Sequence, residues 1–497
     1  MVPRTSIHNL DDDSLLGIFY LSRPSPSEEN ERGQTSWGNW DRERWWYTFV
    51  HVCRRWRCLI FGSASHLRLC LVCGPGTPVA DMLANSPPFP LIIYHNYLNH
   101  HLTAEDEEGI LLALQHRDRV CRIGLDMPVA SVQRVITAID GEFPVLEFLH
   151  IRASTKHNTQ LILPATLEAP HLRHLALYRL ASPIGSRLLP TATGLVRLLL
   201  RWIHPSIYPH PEHLLQLLLL LPQLEGLEIG FSSPVPNRNL ERQLLETPTI
   251  TYTTLPNLHF FVFWGVNAYL EALLPHMATP HLEWLSFQFS NQLTFSVPHL
   301  LQFMTTTENL RFSNARFIFH HRAVSVVFFS VGSGMPPPFA VDVTCGHLDW
   351  QVSSMAQIFN ILSPLLSAVV DLSLVYGEHT LSSEGHNQAD RTQWRKLLGS
   401  FRNVKTLRVH QGLVAAVSQS LRLDGEPPLE LLPELNELIC PQGSLDDKVF
   451  DAFINEREVA RQPINLIEEA FPVGHIDLMY EALSGMVYFS TDTIPVP

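Results

Sequence analysis

Pro170-His171-Leu172-Arg173-His174-Leu175-Ala176-Leu177 is the stretch whose reading decides the fold. Leu172, Leu175 and Leu177 stand at i, i+3 and i+5, and the last two alternate with His174 and Ala176 as one face of a half-buried strand does. Proline has no N–H and cannot continue a helix, so Pro170 ends what precedes it and launches the strand.

The same spacing recurs from about residue 65 onward. Leu146/Leu149/Ile151, Leu195/Leu198/Leu200, Leu224/Leu227/Ile229, Leu258/Phe261/Phe263 and Leu282/Leu285/Phe287 carry it. Val369/Leu372/Leu374, Val404/Leu407/Val409 and Leu435/Leu438/Cys440 continue it. Weaker copies are Val120/Ile123/Leu125, Thr307/Leu310/Phe312 and Pro338/Val341/Val343. Neighbouring copies start 23 to 35 residues apart, the range of a strand-plus-helix repeat. Pro144, Pro222, Pro256, Pro280 and Pro433 stand where Pro170 does, and helical stretches are expected upstream over 105–116, 131–140, 212–221 and 357–366. One such unit cannot bury its own apolar face, so about a dozen stacked units are expected to share a continuous core.

This alternation resembles leucine-rich repeats over most of residues 65 to 470, although the regular Asn or Cys after the third apolar position is missing. The resemblance implies an α/β solenoid with one strand and one helix per repeat and irregular turns after the strands.

The bulk numbers agree with a packed chain. Of 497 residues, 45% are hydrophobic and 17% charged, too apolar a balance for disorder. The net charge of −13, with no block of consecutive Lys or Arg, argues against a nucleic-acid or membrane partner. Seven cysteines, an odd number lying mostly in apolar runs, read as reduced core residues of an intracellular protein, cytoplasmic or nuclear. The start of the chain is short and polar rather than a signal peptide. The longest apolar runs, 214–221 and 323–331, fall short of the ~20 residues that span a bilayer.

The N-terminal part follows another pattern. Phe49, Val52, Cys53, Trp56, Leu59 and Ile60 predict one apolar stripe on a single helix. A second amphipathic helix is expected from Asp11 to Leu21, with acidic residues at its N-terminus and Leu15, Ile18 and Phe19 on one face. Between them the Ser-, Glu-, Asn-, Gly- and Pro-rich stretch 22–44 reads as a loop insertion.

With a leucine-rich array behind it, the N-terminal segment resembles an F-box. Ile7 to Leu21 is similar to the opening helix of that family, and Val52-Cys53-Arg54-Arg55-Trp56-Arg57-Cys58-Leu59-Ile60 to its closing one. Asp11 replaces the usual proline, and the 22–44 insertion lengthens the middle. Phe61-Gly62-Ser63, Pro75-Gly76-Thr77-Pro78 and Pro90-Leu91-Ile92-Ile93 look like the large F-box families of mushroom-forming fungi, to about residue 94. The resemblance implies docking on the Skp-family adaptor of a cullin-RING ubiquitin ligase. Leu10, Leu15, Leu16, Ile18, Phe19, Val52, Trp56 and Ile60 would be the buried anchors, and Arg54, Arg55 and Arg57 a solvated face. The opposing reading makes the same residues a capping core for the first repeat.

Residues 1–62 are therefore expected to form the F-box-like domain, 63–470 the solenoid and 471–497 a tail. Nothing in the chain favours catalysis, a metal or a cofactor. Cys70-Leu71-Val72-Cys73 has the C-x-x-C spacing, but a strand points its two cysteines to opposite faces. His204/His210/His213 and His320/His321 lack a metalloprotease pattern, and Gly74-Pro75-Gly76 lacks the strand-then-helix setting of a phosphate loop. The expectation is a non-enzymatic substrate receptor holding an unidentified protein substrate on its repeats. The alternative is a ligase-independent leucine-rich scaffold. Only four of the 35 basic residues are Lys (156, 396, 405 and 448), which suits either a GC-rich genome or a receptor offering few sites for its own modification.

Overall fold

A computed structural model describes residues 10–23, 40–96, 100–154, 161–181, 185–204, 207–232, 234, 251–307, 309–330, 337–376, 391–422, 431–441 and 450–469. The chain divides into two compact units, Met1–Arg201 and Trp202–Pro497. Most of the 22–44 insertion and all of the 471–497 tail lie outside the described residues.

In the first unit the helices α1 (Asp12–Leu21), α2 (Tyr47–Val50) and α3 (Arg54–Gly62) precede the sheet. Its strands are β1 (Leu71–Cys73), β2 (Leu91–Asn96), β3 (Val120–Pro128), β4 (Phe148–Ser154), β5 (Leu161–Ile162), β6 (His174–Tyr178), β7 (Leu180–Ala181) and β8 (Arg197–Ile203). The order β1-β2-β3-β4-β6-β8 is parallel throughout, and β5 pairs only with β7. Parallel neighbours need a crossover, and helices Ala104–Leu114 and Val129–Ala138 supply it where the periodicity predicts them.

Leu172, Leu175 and Leu177 are each fully buried, as are Leu146 and Ile151, so the repeated triplet is the core of each layer. The prolines do more than stop a helix. Each occupies the second position of a β-turn that closes onto the first apolar residue. Leu146 N–H donates to Phe143 C=O at 3.3 Å and Leu172 to Ala169 at 3.1 Å, around Pro144 and Pro170. The same turn encloses Pro222, Pro256, Pro280 and Pro433 in the second unit, with donors Leu224, Leu258, Leu282 and Leu435. Proline presets the φ this position needs.

The strands of the second unit are β9 (Gly226–Phe231), β10 (Thr253–Thr254), β11 (Phe260–Gly265), β12 (Met277–Ala278), β13 (Trp284–Ser290), β14 (Asn314–Phe319), β15 (Ala323–Phe329), β16 (Phe339–Thr344), β17 (Asp371–Tyr376), β18 (Thr406–Val409), β19 (Glu437–Pro441) and β20 (Asn465–Glu469). Their order is β9-β11-β13-β16-β15-β14-β17-β18-β19-β20, with β10 paired to β12. All neighbours are parallel except those of β15, which is antiparallel on both sides.

This meander corrects the expected copy Thr307/Leu310/Phe312. Thr307 ends the helix Pro298–Thr306, and Leu310 and Phe312 are buried without belonging to a strand. The strand begins only at Asn314 and folds back as a hairpin. Because β16 returns to pair with β13, the next connection must pass β15 and β14 to reach β17. Three strand positions are ~14 Å, and the helix Leu348–Leu362, with 15 residues, spans ~22 Å. Gln351, 1% exposed in that helix, donates to the carbonyls of His320 (2.6 Å) and Cys345 (3.0 Å), which pins the crossover to the hairpin turn.

Candidate docking helices and strand-face surfaces

Asp11 builds the start of α1. Its carboxylate accepts the Ser14 N–H at 2.7 Å, and this bond holds its pKa below the usual carboxylate value. Asp12 and Asp13 add negative charge where the helix dipole favours it. From α3, Arg55 donates to Asp12 Oδ1 (2.6 Å) and to the Leu10 carbonyl (2.7 Å), so the two helices are tied at one end.

Phe49 to Ile60 is not a single helix, contrary to its apolar spacing. The chain breaks after Val50, and Cys53 turns to extended backbone (φ −160°, ψ 169°). Its Sγ accepts the Trp56 N–H at 3.5 Å and so caps α3. The break lets both segments face Phe19, whose ring lies 5.3 Å from Phe49 and 5.0 Å, edge-on, from Trp56.

The expected anchors therefore fall into two sets. Leu15, Phe19, Trp56 and Ile60 are buried inside the helical pair itself, Leu10 and Leu16 are half-buried, and Ile18 (40% exposed) and Val52 (55%) face outward. Tyr20 and Leu21, which the periodicity did not single out, are also exposed. Arg54, Arg55 and Arg57 are all exposed as expected, although Arg55 also ties α3 to α1 and Arg57 donates to the Val50 carbonyl.

A second aromatic cluster joins this pair to the first strands. Trp46 packs edge-on against Phe61 (6.1 Å) and Phe89 (5.8 Å). Arg44 donates to Thr77 Oγ1 at 2.7 Å and to the Val72 carbonyl at 3.4 Å, while the Val72 N–H donates to the Tyr47 hydroxyl. Gly74 is required here: a Cβ on it would sit 2.2 Å from the Tyr94 ring.

The outer face of the first unit's sheet is read from its register. Alternate residues point away from the leucine core. One row runs Arg122, Phe148, His174, Arg197, and a parallel row four residues further along runs Asp126, Arg152, Tyr178, Arg201. Between them lies a low floor of Gly124, His150, Ala176 and Leu199, all buried. His150 stacks on Tyr178 (4.9 Å) and the Arg201 guanidinium lies over the same ring (5.6 Å). Asp126 Oδ2 is 3.8 Å from Arg152 Nε, and Arg122 is 3.5 Å from Glu43. Burial, reinforced by Arg152 and Arg201, holds His150 well below its ordinary pKa. Burial, with Arg197, Arg173 and Arg122, lowers His174 to about 4.

In the second unit the corresponding face carries Phe260 against Trp284 (4.5 Å), Arg316 over Phe329 (5.7 Å) and the pair Arg408–Glu469 (2.9 Å). Trp264 lies over Gly230, where a Cβ would approach its ring to 2.5 Å, so the glycine lets the indole lie flat on the sheet. On this face Trp264 is buried and Trp284 half-buried.

The motifs with chemical spacing have structural settings. Cys73 is buried and its thiol is pushed up to about 12 by burial, while Cys70 donates to the Arg68 carbonyl and Cys121, the bulged residue of β3, to the Leu91 carbonyl. His210 caps the helix Pro211–Leu219 through its ring. Gly76 takes positive φ (68°) in its turn and donates to Asp106. Among the described residues no group of three or more His, Cys, Asp or Glu is placed to hold a metal, and no helix is long and apolar enough to cross a membrane.

No family model and no curated protein matches the chain. Among solved structures, the leucine-rich repeat-containing protein LegL7 from Legionella pneumophila is similar at 11% identity and a TM-score of 0.23, covering 78% of this chain and 97% of that one.

Proposed function

We propose that the chain is the substrate-recognition subunit of a Skp/cullin/F-box ubiquitin ligase, with the α1–α3 pair docking the adaptor and the repeats holding a protein substrate. The observation that carries this is the division of the apolar residues. Leu15, Phe19, Trp56 and Ile60 already seal the helical pair, yet Ile18, Tyr20, Leu21 and Val52 remain exposed beyond what that interior needs. The fold adds the coarser half of the reading: stacked strand-and-helix repeats are protein-interaction scaffolds more often than enzymes. Tethering a substrate beside a charged conjugating enzyme would then raise its effective concentration without chemistry from this chain.

A second reading, a ligase-independent scaffold, is favoured by the Trp46, Arg44 and Tyr47 contacts to the first strands, which make the helices a cap on the array. One experiment separates the two. The full chain is co-expressed with a Skp-family adaptor and purified by an affinity tag. Capture should be lost in Ile18→Asp/Val52→Asp, whose side chains contribute little to the interior. Capture by neither protein, or equally by both, would leave the cap alone standing.

A further inference from the structure

A strand at the end of a sheet points alternate N–H and C=O groups away from its neighbour, and another chain can pair with them. The first unit closes this edge itself. In β1 the Leu71 N–H donates to the Pro90 carbonyl of the neighbouring chain segment, so Val72 is the residue that points outward. The Tyr47 hydroxyl accepts the Val72 N–H and Arg44 donates to the Val72 carbonyl, each at 3.4 Å.

The second unit leaves its edge open. The ladder from β20 to β19 begins with the Asn465 N–H on the Asn436 carbonyl at 2.8 Å and continues in register to Glu469. In a parallel ladder this turns the N–H and C=O groups of Leu466 and Glu468 outward, ~7 Å apart. Among the described residues neither makes a hydrogen bond on that side, and no further strand pairs with β20. Asn465, Ile467, Glu468 and Glu469 are exposed and Leu466 is half-buried, so the strand is accessible along its length.

The charge around the edge selects its occupant. The last layer, 431–441 and 450–469, holds seven acidic and two basic residues, and one of the two, Arg457, is 1% exposed. Glu469 pairs with Arg408, while among the described residues the exposed Glu468 carboxylate has no ion-pair partner. A second copy of this edge would bring like charges together, whereas a basic segment would neutralise them.

We infer that β20 is the seat of an extended basic segment of a partner protein, which adds a strand to the sheet. Its backbone bonds Leu466 and Glu468, and a cationic side chain lies beside the Glu468 carboxylate. Apolar side chains between its charges pack on Leu466 on one face and on Ile467, 38% exposed, on the other. The inference goes beyond the substrate-receptor reading and does not rest on it: the edge is open whether the N-terminal helices dock an adaptor or cap the array.

The test titrates the full chain into fluorescein-labelled Lys-Lys-Val-Ile-Val-Lys-Lys, whose residue order is the same in both directions, and reads fluorescence anisotropy. The peptide should bind and should slow amide exchange at Leu466 and Glu468. A copy N-methylated at its central Val-Ile-Val keeps the charge but cannot pair, and should not bind. Glu-Glu-Val-Ile-Val-Glu-Glu should not bind either. Glu468→Pro removes an outward N–H at an edge position where proline is tolerated, and should lose at least about tenfold in affinity. Glu468→Lys keeps every backbone group, should weaken the basic peptide several-fold and should favour the acidic one. Glu108→Lys, the same charge change at an exposed position of the first unit, should bind as the wild type does. Circular dichroism checks each fold, and if Glu468→Pro unfolds, Glu468→Lys and the exchange pattern decide. Equal binding of the methylated copy, wild-type affinity in the Glu468 variants, or no preference for the basic peptide would overturn the seat. Self-association of the wild type that Glu468→Pro abolishes would overturn the basic occupant and give the edge to a second copy.

Discussion

Asp126 on β3 lies 3.8 Å from Arg152 on β4, and burial nevertheless outweighs that attraction, pushing its carboxyl up to about 6. At 3% side-chain exposure the desolvation of the charge costs more than one poorly aligned guanidinium returns.

Stability should therefore carry an Asp126 signature of unusual sign. Between about pH 4 and 6 the folded chain keeps a proton there that the unfolded chain has released, so this group's contribution falls as pH rises. Asp126→Asn cannot ionise. Relative to wild type it should gain on the order of 2–3 kcal/mol between about pH 4 and 7, read from urea denaturation at each pH. A gap independent of pH would contradict it.

His174 pulls the other way over the same window. Its folded pKa near 4 lies below the ordinary value of 6.5, so the unfolded chain takes up a proton first and stability is lost as pH falls from 6.5 towards 4. His174→Gln should flatten the acid limb of the stability profile, and with Asp126→Asn the two changes should partly cancel in slope.

The turn prolines act through the unfolded chain. Replacing Pro280 or Pro433 by Ala should cost about 0.4–1 kcal/mol each, with the turn bonds to Leu282 and Leu435 retained. Pro144→Ala combined with Pro433→Ala should add to within about 0.5 kcal/mol, because the sites lie in different units. Thermal midpoints of the single and double variants check this.

Cys53 is an indifferent cap, since its Sγ reaches the Trp56 N–H only at 3.5 Å. Cys53→Ser, with a stronger and shorter-reaching acceptor, should hold or raise stability, whereas Cys53→Ala should lose about 0.5–1 kcal/mol. Amide exchange over Arg54 to Trp56 would localise the effect.

Gln351→Met keeps the volume but removes both donors to His320 and Cys345. A loss of about 1–3 kcal/mol is expected, with faster amide exchange at the turn between β14 and β15 and little change in β18 or β19.

Much of the fold was legible because the i, i+3, i+5 spacing records a strand and the turn before it in one signature. That signature reports burial, however, not pairing. Leu310 and Phe312 satisfy it from a loop, and the apolar run from Ala323, too short to span a bilayer, is a central strand buried on both faces. The helix break at Cys53 was hidden for a related reason: a stripe counted at helical spacing stays apolar even when the backbone changes direction beneath it. The outer face was hardest to see. Arg122, Phe148, His174 and Arg197 are spread over 76 positions and meet only through the register of four strands.

The β14–β15 hairpin adds two strands, and the even number matters. After it the chain runs in its original direction, so β16 and β17 have the polarity they would have as immediate neighbours. A single strand added through a hairpin turn, with no crossover, would have reversed everything downstream. A stacked architecture can thus lengthen itself by pairs at any layer without renegotiating the layers beyond, provided one connecting helix grows to bridge the gap. Residues 314–329 are such a pair, and the long helix Leu348–Leu362 is the connection that bridges it.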